Sequence, residues 1–150
     1  MRPDRILIGE CRGAESLDML QAMNTGHDGS MTTIHANSAR DAVSRLENMV
    51  SLAGIEMPLS ALRRQITSAV NLVVQVNRLQ DGARKIMTIT EITGCEGDVV
   101  SMQELFYFEH VGIGPNGRVE GQFKPAGVRS HFTDRFKQWN IDLSHSIYEG

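Results

Sequence analysis

Two short apolar runs, separated by a stretch long enough for one helix, constrain the fold of this chain most strongly. The first run covers residues 6–8 and stops at Gly9-Glu10, and the second covers residues 31–34 and stops at His35. Continuous apolar runs of this kind are typical of buried parallel strands, and the carboxyl ends of such strands meet at one edge of a sheet. We therefore predict that Glu10 and His35 lie side by side at that edge.

The segment between the two runs predicts a crossover helix. Residues 14–24 carry leucine and methionine side chains at helical spacing, and Asn24-Thr25-Gly26 is a typical helix end. A strand is expected over residues 30–36. Because a helix of this length returns the chain to a parallel strand, we expect a right-handed βαβ unit.

Two more helices follow from their end signals. Ser38, with Asp41 three residues later, resembles a capping box, and Gly54 closes the amphipathic stretch behind it. Pro58 predicts the first turn of the next helix, since a missing N–H costs nothing there, and Asn71 is its expected end.

Beyond residue 71 the apolar pattern changes from helical to extended. Two β-branched runs surround Gln80-Asp81-Gly82-Ala83, a strong hairpin signal. The predicted strands are 72–76, 86–92, 99–108 and 118–123, the last pairing with 106–111, and a short helix is predicted over 130–139. We expect a single unit over 1–150, with an α/β part at 1–70, a β-rich part at 71–128, and a C-terminal helix and tail at 129–150.

The composition is that of an ordinary water-soluble globular protein. The 150 residues suffice for one domain, with 41% hydrophobic and 22% charged. No apolar run reaches the roughly 18 residues of a membrane-spanning helix, and a net charge of −3 argues against a broad nucleic-acid surface. Cys11 and Cys95 fit no metal-ligand spacing, so we expect a reduced, cytoplasmic protein in which Cys11 is a small buried side chain.

The motifs in the first 37 residues resemble the motor domain of secretion-superfamily ATPases, the type II and type IV secretion and pilus motors. The strand and Gly-Glu at 6–10 match their Walker B element, and Arg12-Gly13 fits the residues that follow it. Thr32-Thr33-Ile34-His35 matches their histidine box, and Thr25-Gly26-His27 an earlier Thr-Gly-His. The similarity is closest to the tight-adherence (Tad/Flp, CpaF-like) pilus branch. The family's phosphate loop, GxxxxGK[ST], is not found in these 150 residues.

The resemblance implies a fold, an activity and partners. It implies the C-terminal part of a RecA-like, P-loop α/β domain, in which a parallel sheet with flanking helices precedes a small antiparallel meander and a C-terminal helix. It implies a cytoplasmic motor that hydrolyses ATP with Mg²⁺. It further implies a homo-hexamer, peripheral at the bacterial inner membrane, that works with membrane-embedded platform proteins. Because the phosphate loop is missing, we expect the chain to be a piece of a longer protein and to be inactive alone.

The same resemblance implies roles for four residues. Glu10 would be the catalytic Walker B glutamate, which orients the attacking water or holds a water on Mg²⁺. His35 would sense the γ-phosphate, because an imidazole donates to phosphate oxygen and titrates near neutral pH. His27 and Arg12 are weaker candidates for phosphate contact.

Several alternatives stay open at this level. Glu10 can instead cap the next helix or pair with Arg12, and Arg12 can pair with Glu10 or Glu15 rather than meet phosphate. Glu10, His27 and His35 together could supply three zinc ligands, although no HExxH spacing supports that. A non-catalytic docking or assembly module of a secretion system is the alternative at the level of the whole chain.

Overall fold

The computed structural model describes residues 4–141 and 147–148. The first three residues, and positions 142–146 and 149–150 of the predicted tail, lie outside the described residues. The chain forms two compact units: residues up to 71 together with Gly94–Ser101, and Leu72–Thr93 together with the residues from Met102 onward. The chain first passes from one unit to the other after residue 71. The α/β part was expected to end at residue 70.

The first unit contains the predicted βαβ arrangement. Its elements are β1 (Leu7–Ile8), α1 (Glu15–Asn24), β2 (Met31–Thr32), α2 (Ala39–Leu52) and α3 (Leu59–Ala69). The two strands run parallel, with Leu7 opposite Met31. The α/β prediction is therefore confirmed, although the strands are shorter than predicted, with β2 covering two residues of the expected 30–36.

The helices of the first unit begin where the sequence signals place them. Ser38 is extended and accepts a hydrogen bond from the Asp41 amide at 3.1 Å. The Asp41 carboxylate accepts from the amide of Asn37, one residue before the cap, at 3.0 Å. Pro58 is the N-cap of α3 and not its first helical residue, because its ψ of 135° is not helical. Side chains from all three helices form the core: Met19, Leu20, Val50, Leu62 and Ile66.

An ion pair that the sequence did not predict joins α2 to α3. Arg63 Nε lies 2.8 Å from Glu47 Oε1, and both side chains are four-fifths or more buried. The Arg63 guanidinium also donates to the carbonyl oxygen of Asp98. This one side chain thus links both helices to residues 94–101, which belong to the same unit. The hydrogen bond to Glu47 raises the pKa of Arg63, so the guanidinium stays charged at neutral pH.

The second unit is built on a four-stranded antiparallel sheet in the order β3-β4-β5-β6. Its elements are β3 (Leu72–Arg78), β4 (Arg84–Glu96), β5 (Val99–Ile113), β6 (Val119–Pro125) and α4 (Thr133–Gln138). The predicted hairpin and the pairing of β6 with β5 are confirmed. The C-terminal helix is shorter than the predicted 130–139, because the backbone and side chains just before it bond to the sheet instead. No helix in the described ranges is long and apolar enough to cross a membrane.

Gly121 in β6 lies beneath an aromatic ring of the neighbouring strand. A Cβ at this position would lie 2.4 Å from the Glu109 carbonyl oxygen and 2.4 Å from a ring carbon of Phe108. We expect Gly121→Ala to lower the free energy of unfolding by about 1–3 kcal/mol, the usual cost of overpacking, because the backbone oxygen cannot turn aside. Urea denaturation provides the measurement.

Gly112→Ala is the matched control for Gly121, since Gly112 lies in the paired strand β5 with open space around it. We expect this variant to unfold at the same urea concentration as the unmodified chain, or at a higher one. Equal losses in the two variants would show that the ring of Phe108 does not require a glycine beneath it.

Candidate functional site

The two strand ends bring Glu10 and His35 together. His35 Nε2 lies 3.2 Å from Glu10 Oε1. The backbone keeps the ends of the two segments in register beyond the assigned strands, because the Cys11 amide donates to the Thr33 carbonyl at 2.9 Å. The Thr33 hydroxyl also donates to the Gly9 carbonyl at 2.5 Å. The predicted juxtaposition at one sheet edge is therefore present.

The second carboxylate oxygen of Glu10 is taken by Arg12, whose guanidinium donates to Oε2. This hydrogen bond is the main reason that the pKa of Glu10 lies below its ordinary value. Partial burial opposes the shift, while electrostatic interactions with Arg12, His35 and Arg45 add to it. In turn Glu10 raises the pKa of Arg12. Glu10 is therefore ionised at neutral pH, and both of its oxygens act as acceptors.

Exposure differs sharply across the cluster. The Glu10 side chain is 24% exposed, whereas those of Arg12 and His35 are 77% and 82% exposed. Glu10 is thus held at the sheet edge, while the two cationic or potentially cationic groups extend into solvent. A negatively charged ligand approaching this edge meets the arginine and the histidine first.

Glu15 has a structural part in shaping the turn before α1. Its carboxylate accepts from the backbone amides of Arg12 at 2.8 Å and Gly13 at 3.1 Å, and the Arg12 amide is the main cause of its lowered pKa. Of the two pairings considered for the Arg12 side chain, the structure shows the one with Glu10. Glu15 is therefore the carboxylate that holds the helix start, which leaves Glu10 free of that task.

Cys11 points away from this cluster into the core, as predicted. It is 3% exposed, and its Sγ lies 3.0 Å from the hydroxyl of Ser16. Ser16 is fully buried, and its hydroxyl also donates to the Gly13 carbonyl. A lone serine within an amphipathic helix gives no sequence signal for such a role.

His27 is placed differently from the other three candidates. Its Nδ1 lies 3.1 Å from the Ala22 carbonyl oxygen of α1. The His27 carbonyl accepts a hydrogen bond from the Ser30 hydroxyl at 2.7 Å. The described part of the chain holds no group of three His, Cys, Asp or Glu side chains suited to a metal ion. The structure thus gives no support to a zinc site formed by Glu10, His27 and His35.

Comparison with known proteins places this chain in a family. Residues 1–113 match the family model described as type II/IV secretion system protein. A Mycobacterium tuberculosis protein named for conjugal transfer is 41% identical over 99 residues, which is 66% of this chain and 28% of that protein. The type IV secretion system protein PtlH of Bordetella pertussis is 43% identical over 88 residues, 57% of this chain and 26% of PtlH.

A solved structure agrees with both matches. The crystal structure of the VirB11 ATPase from the Brucella suis type IV secretion system, in complex with sulphate, aligns with a TM-score of 0.55 and 36% identity. The alignment covers 59% of this chain and 28% of that one. The chain spans little more than a quarter of the length of the curated relatives it matches. Because the family model covers most of its residues, the chain belongs to the type II/IV secretion system protein family.

Proposed function

We propose that this chain supplies the water-activating and phosphate-sensing half of an ATPase site in a secretion motor. The observation that carries the proposal is the contact between Glu10 and His35 at the ends of two parallel strands. Ligand chemistry in open α/β sheets collects at this edge. Membership of a family that includes a structurally similar VirB11 ATPase supports ATP as the substrate.

In the proposed mechanism Glu10 acts on water. Its ionised carboxylate can accept a proton or a hydrogen bond from the attacking water, and it is close enough to solvent to receive one. A carboxylate oxygen is also the ligand type that Mg²⁺ prefers, directly or through a water, so the residue fits a magnesium-nucleotide site. The metal would neutralise phosphate charge when bound.

The exposed basic groups beside Glu10 would meet the nucleotide. His35 can donate from Nε2 either to Glu10 or to a γ-phosphate oxygen. The contact between His35 and Glu10 would then be broken when ATP is bound and restored when the γ-phosphate leaves. Arg12 can contribute positive charge to the same region. His27, bonded to α1, stays a lower-ranked phosphate contact.

The parent protein is defined here as a longer protein that carries both this chain and a phosphate-binding loop. We propose that it is a cytoplasmic, homo-hexameric motor ATPase, peripheral at the bacterial inner membrane, which acts on membrane-embedded platform proteins. Among the machines of this family we propose assembly of a Tad-type pilus, because the sequence most resembles the tight-adherence branch.

His35→Ala in the parent protein tests the sensor role. We expect ATP hydrolysis to fall by about 10²-fold or more, with the melting temperature unchanged, because the His35 side chain is 82% exposed and contributes little packing. His110→Ala, at an exposed position on β5, is the matched control and should leave hydrolysis unchanged. A lower melting temperature with normal hydrolysis would assign His35 a structural role instead.

A second candidate function is a non-catalytic docking or assembly module. The observation that favours it is that no phosphate loop occurs in the 150 residues. Sequencing the DNA upstream of this chain separates the two functions, since a motor ATPase requires a GxxxxGK[ST] loop there and a docking module predicts that none is encoded.

A further inference from the structure

A second buried cluster lies in the second unit, on residues that the proposed ATPase site does not use. Glu91 of β4 is only 1% exposed, although it carries a carboxylate. Four hydrogen bonds reach its two oxygens. They come from the Ser130 hydroxyl to Oε1 at 2.8 Å, from the His131 amide at 3.1 and 3.2 Å, and from Gln103 Nε2 to Oε2 at 2.5 Å.

These bonds hold one short piece of chain, which we call the hook, residues 129–132. Gln103 donates to the Arg129 carbonyl at 3.1 Å as well as to Glu91, and the Phe132 amide donates to the Ser130 hydroxyl at 3.1 Å. The hook leads directly into α4. The hook is therefore attached to the sheet at two neighbouring side chains, Glu91 of β4 and Gln103 of β5.

The attachment relies on a buried carboxyl group whose two oxygens accept all four of these hydrogen bonds. A carboxylate removed from water is costly unless strong hydrogen bonds replace its hydration. In the described part of the chain its hydrogen-bond donors are a hydroxyl, a backbone amide and a side-chain amide, all neutral. The hook donates three of the four bonds, so opening the hook removes most of the compensation while also admitting water to the carboxylate.

The cluster joins residues inside the family match to residues beyond it. Glu91 and Gln103 lie within residues 1–113, which match the family model, whereas the hook and α4 lie beyond it. Tyr148 also belongs to this additional segment, and its ring stacks on Phe106 with centroids 6.1 Å apart. The residues beyond the family match attach to the sheet along the β5–β6 ladder, through the Ala126 amide, which donates to the Leu105 carbonyl at 2.9 Å, and through the hook and the ring of Tyr148.

We propose that Glu91 is a latch and that residues 129–141, which follow the last backbone bond to β5 at Ala126, form a strap that detaches from the sheet as one unit. Because water can solvate the freed carboxylate, the open state is accessible without unfolding the sheet. The latch is independent of nucleotide chemistry and acts whether or not the proposed ATPase function is correct.

Hydrogen exchange monitored by mass spectrometry on the whole chain tests the latch. Glu91→Gln replaces one acceptor oxygen with a donor that faces the hydroxyl and amide of the hook. We expect the amides of residues 131–138 to exchange at least about tenfold faster, with the β3–β4 ladder unchanged. Ser130→Ala removes one donor to Glu91 and the acceptor of the Phe132 amide, and should give a smaller increase at the amides of residues 133–138. Glu104→Gln, at an exposed position on β5 beside Gln103, is the matched control and should change neither region.

Two results would overturn the latch. Equal acceleration in the strap and the β3–β4 ladder would make Glu91 part of the cooperative core of the sheet. Unchanged exchange at residues 131–138 in both variants would mean that Glu91 does not hold the strap. If Glu91→Gln does not fold, Ser130→Ala decides alone, and a strap that exchanges at the unmodified rate in that variant contradicts the proposal.

Discussion

Glu10→Gln is expected to leave the parent protein able to bind ATP but to slow its hydrolysis by about 10² to 10⁴-fold, the usual effect of losing a general base. The substitution keeps the size of the side chain and removes its negative charge. Binding should persist because the affinity of a P-loop site comes mainly from backbone amides and a lysine in the phosphate loop. The two measurements are steady-state phosphate release and equilibrium binding of a fluorescent ATP analogue.

Glu56→Gln is the control for Glu10→Gln. Glu56 is exposed and precedes α3, so removing its charge should alter neither binding nor hydrolysis. Normal turnover in Glu10→Gln would remove this carboxylate from the mechanism. Loss of ATP binding together with turnover would instead assign Glu10 to nucleotide binding and not to water activation.

The parts of the fold that were predicted correctly have local signals. The βαβ unit followed from two apolar runs with a helix-length gap, and α2 from Ser38 and its bond with the Asp41 amide. The β3–β4 hairpin followed from Asp81-Gly82, where Gly82 has a φ of +82°. In each case a few adjacent residues determine the conformation, so one sequence is enough to recognise it.

The parts that were missed depend on contacts distant in sequence. Glu91 is one charged residue in a β-branched run, and no local pattern shows that it is buried, because its partner Ser130 follows 39 positions later. Arg63 has no local signal for its ion pair, because its partner Glu47 lies on another helix. The hydrogen bonds from Ser130 and His131 to Glu91 explain why α4 begins only at Thr133.

One feature of the candidate site could be predicted from the sequence and another could not. The closeness of Glu10 and His35 was predictable, because parallel strands place their carboxyl ends together. The orientation of Arg12 was not, since pairing with Glu10 and with Glu15 were equally compatible with the sequence. The structure settles that choice through the Glu15 carboxylate, which is already engaged by two backbone amides.

The chain of 150 residues, tested alone, is expected to bind ATP-Mg²⁺ with a dissociation constant weaker than about 1 mM and to show no hydrolysis. Residues of the GxxxxGK[ST] type, which supply most of the affinity of a P-loop site, do not occur in it. The ionised Glu10 repels a triphosphate at the sheet edge. Arg12 and His35 are the nearby groups that offset this repulsion, and both are largely solvated.

Isothermal titration calorimetry of this chain with ATP-Mg²⁺, run beside the parent protein, tests the division of the site into a hydrolytic half and a phosphate-binding half. The parent protein should bind ATP in the micromolar range, while the isolated chain should give no heat beyond dilution. Micromolar binding by residues 1–150 alone would contradict the account, because the nucleotide would then be held by groups within this chain.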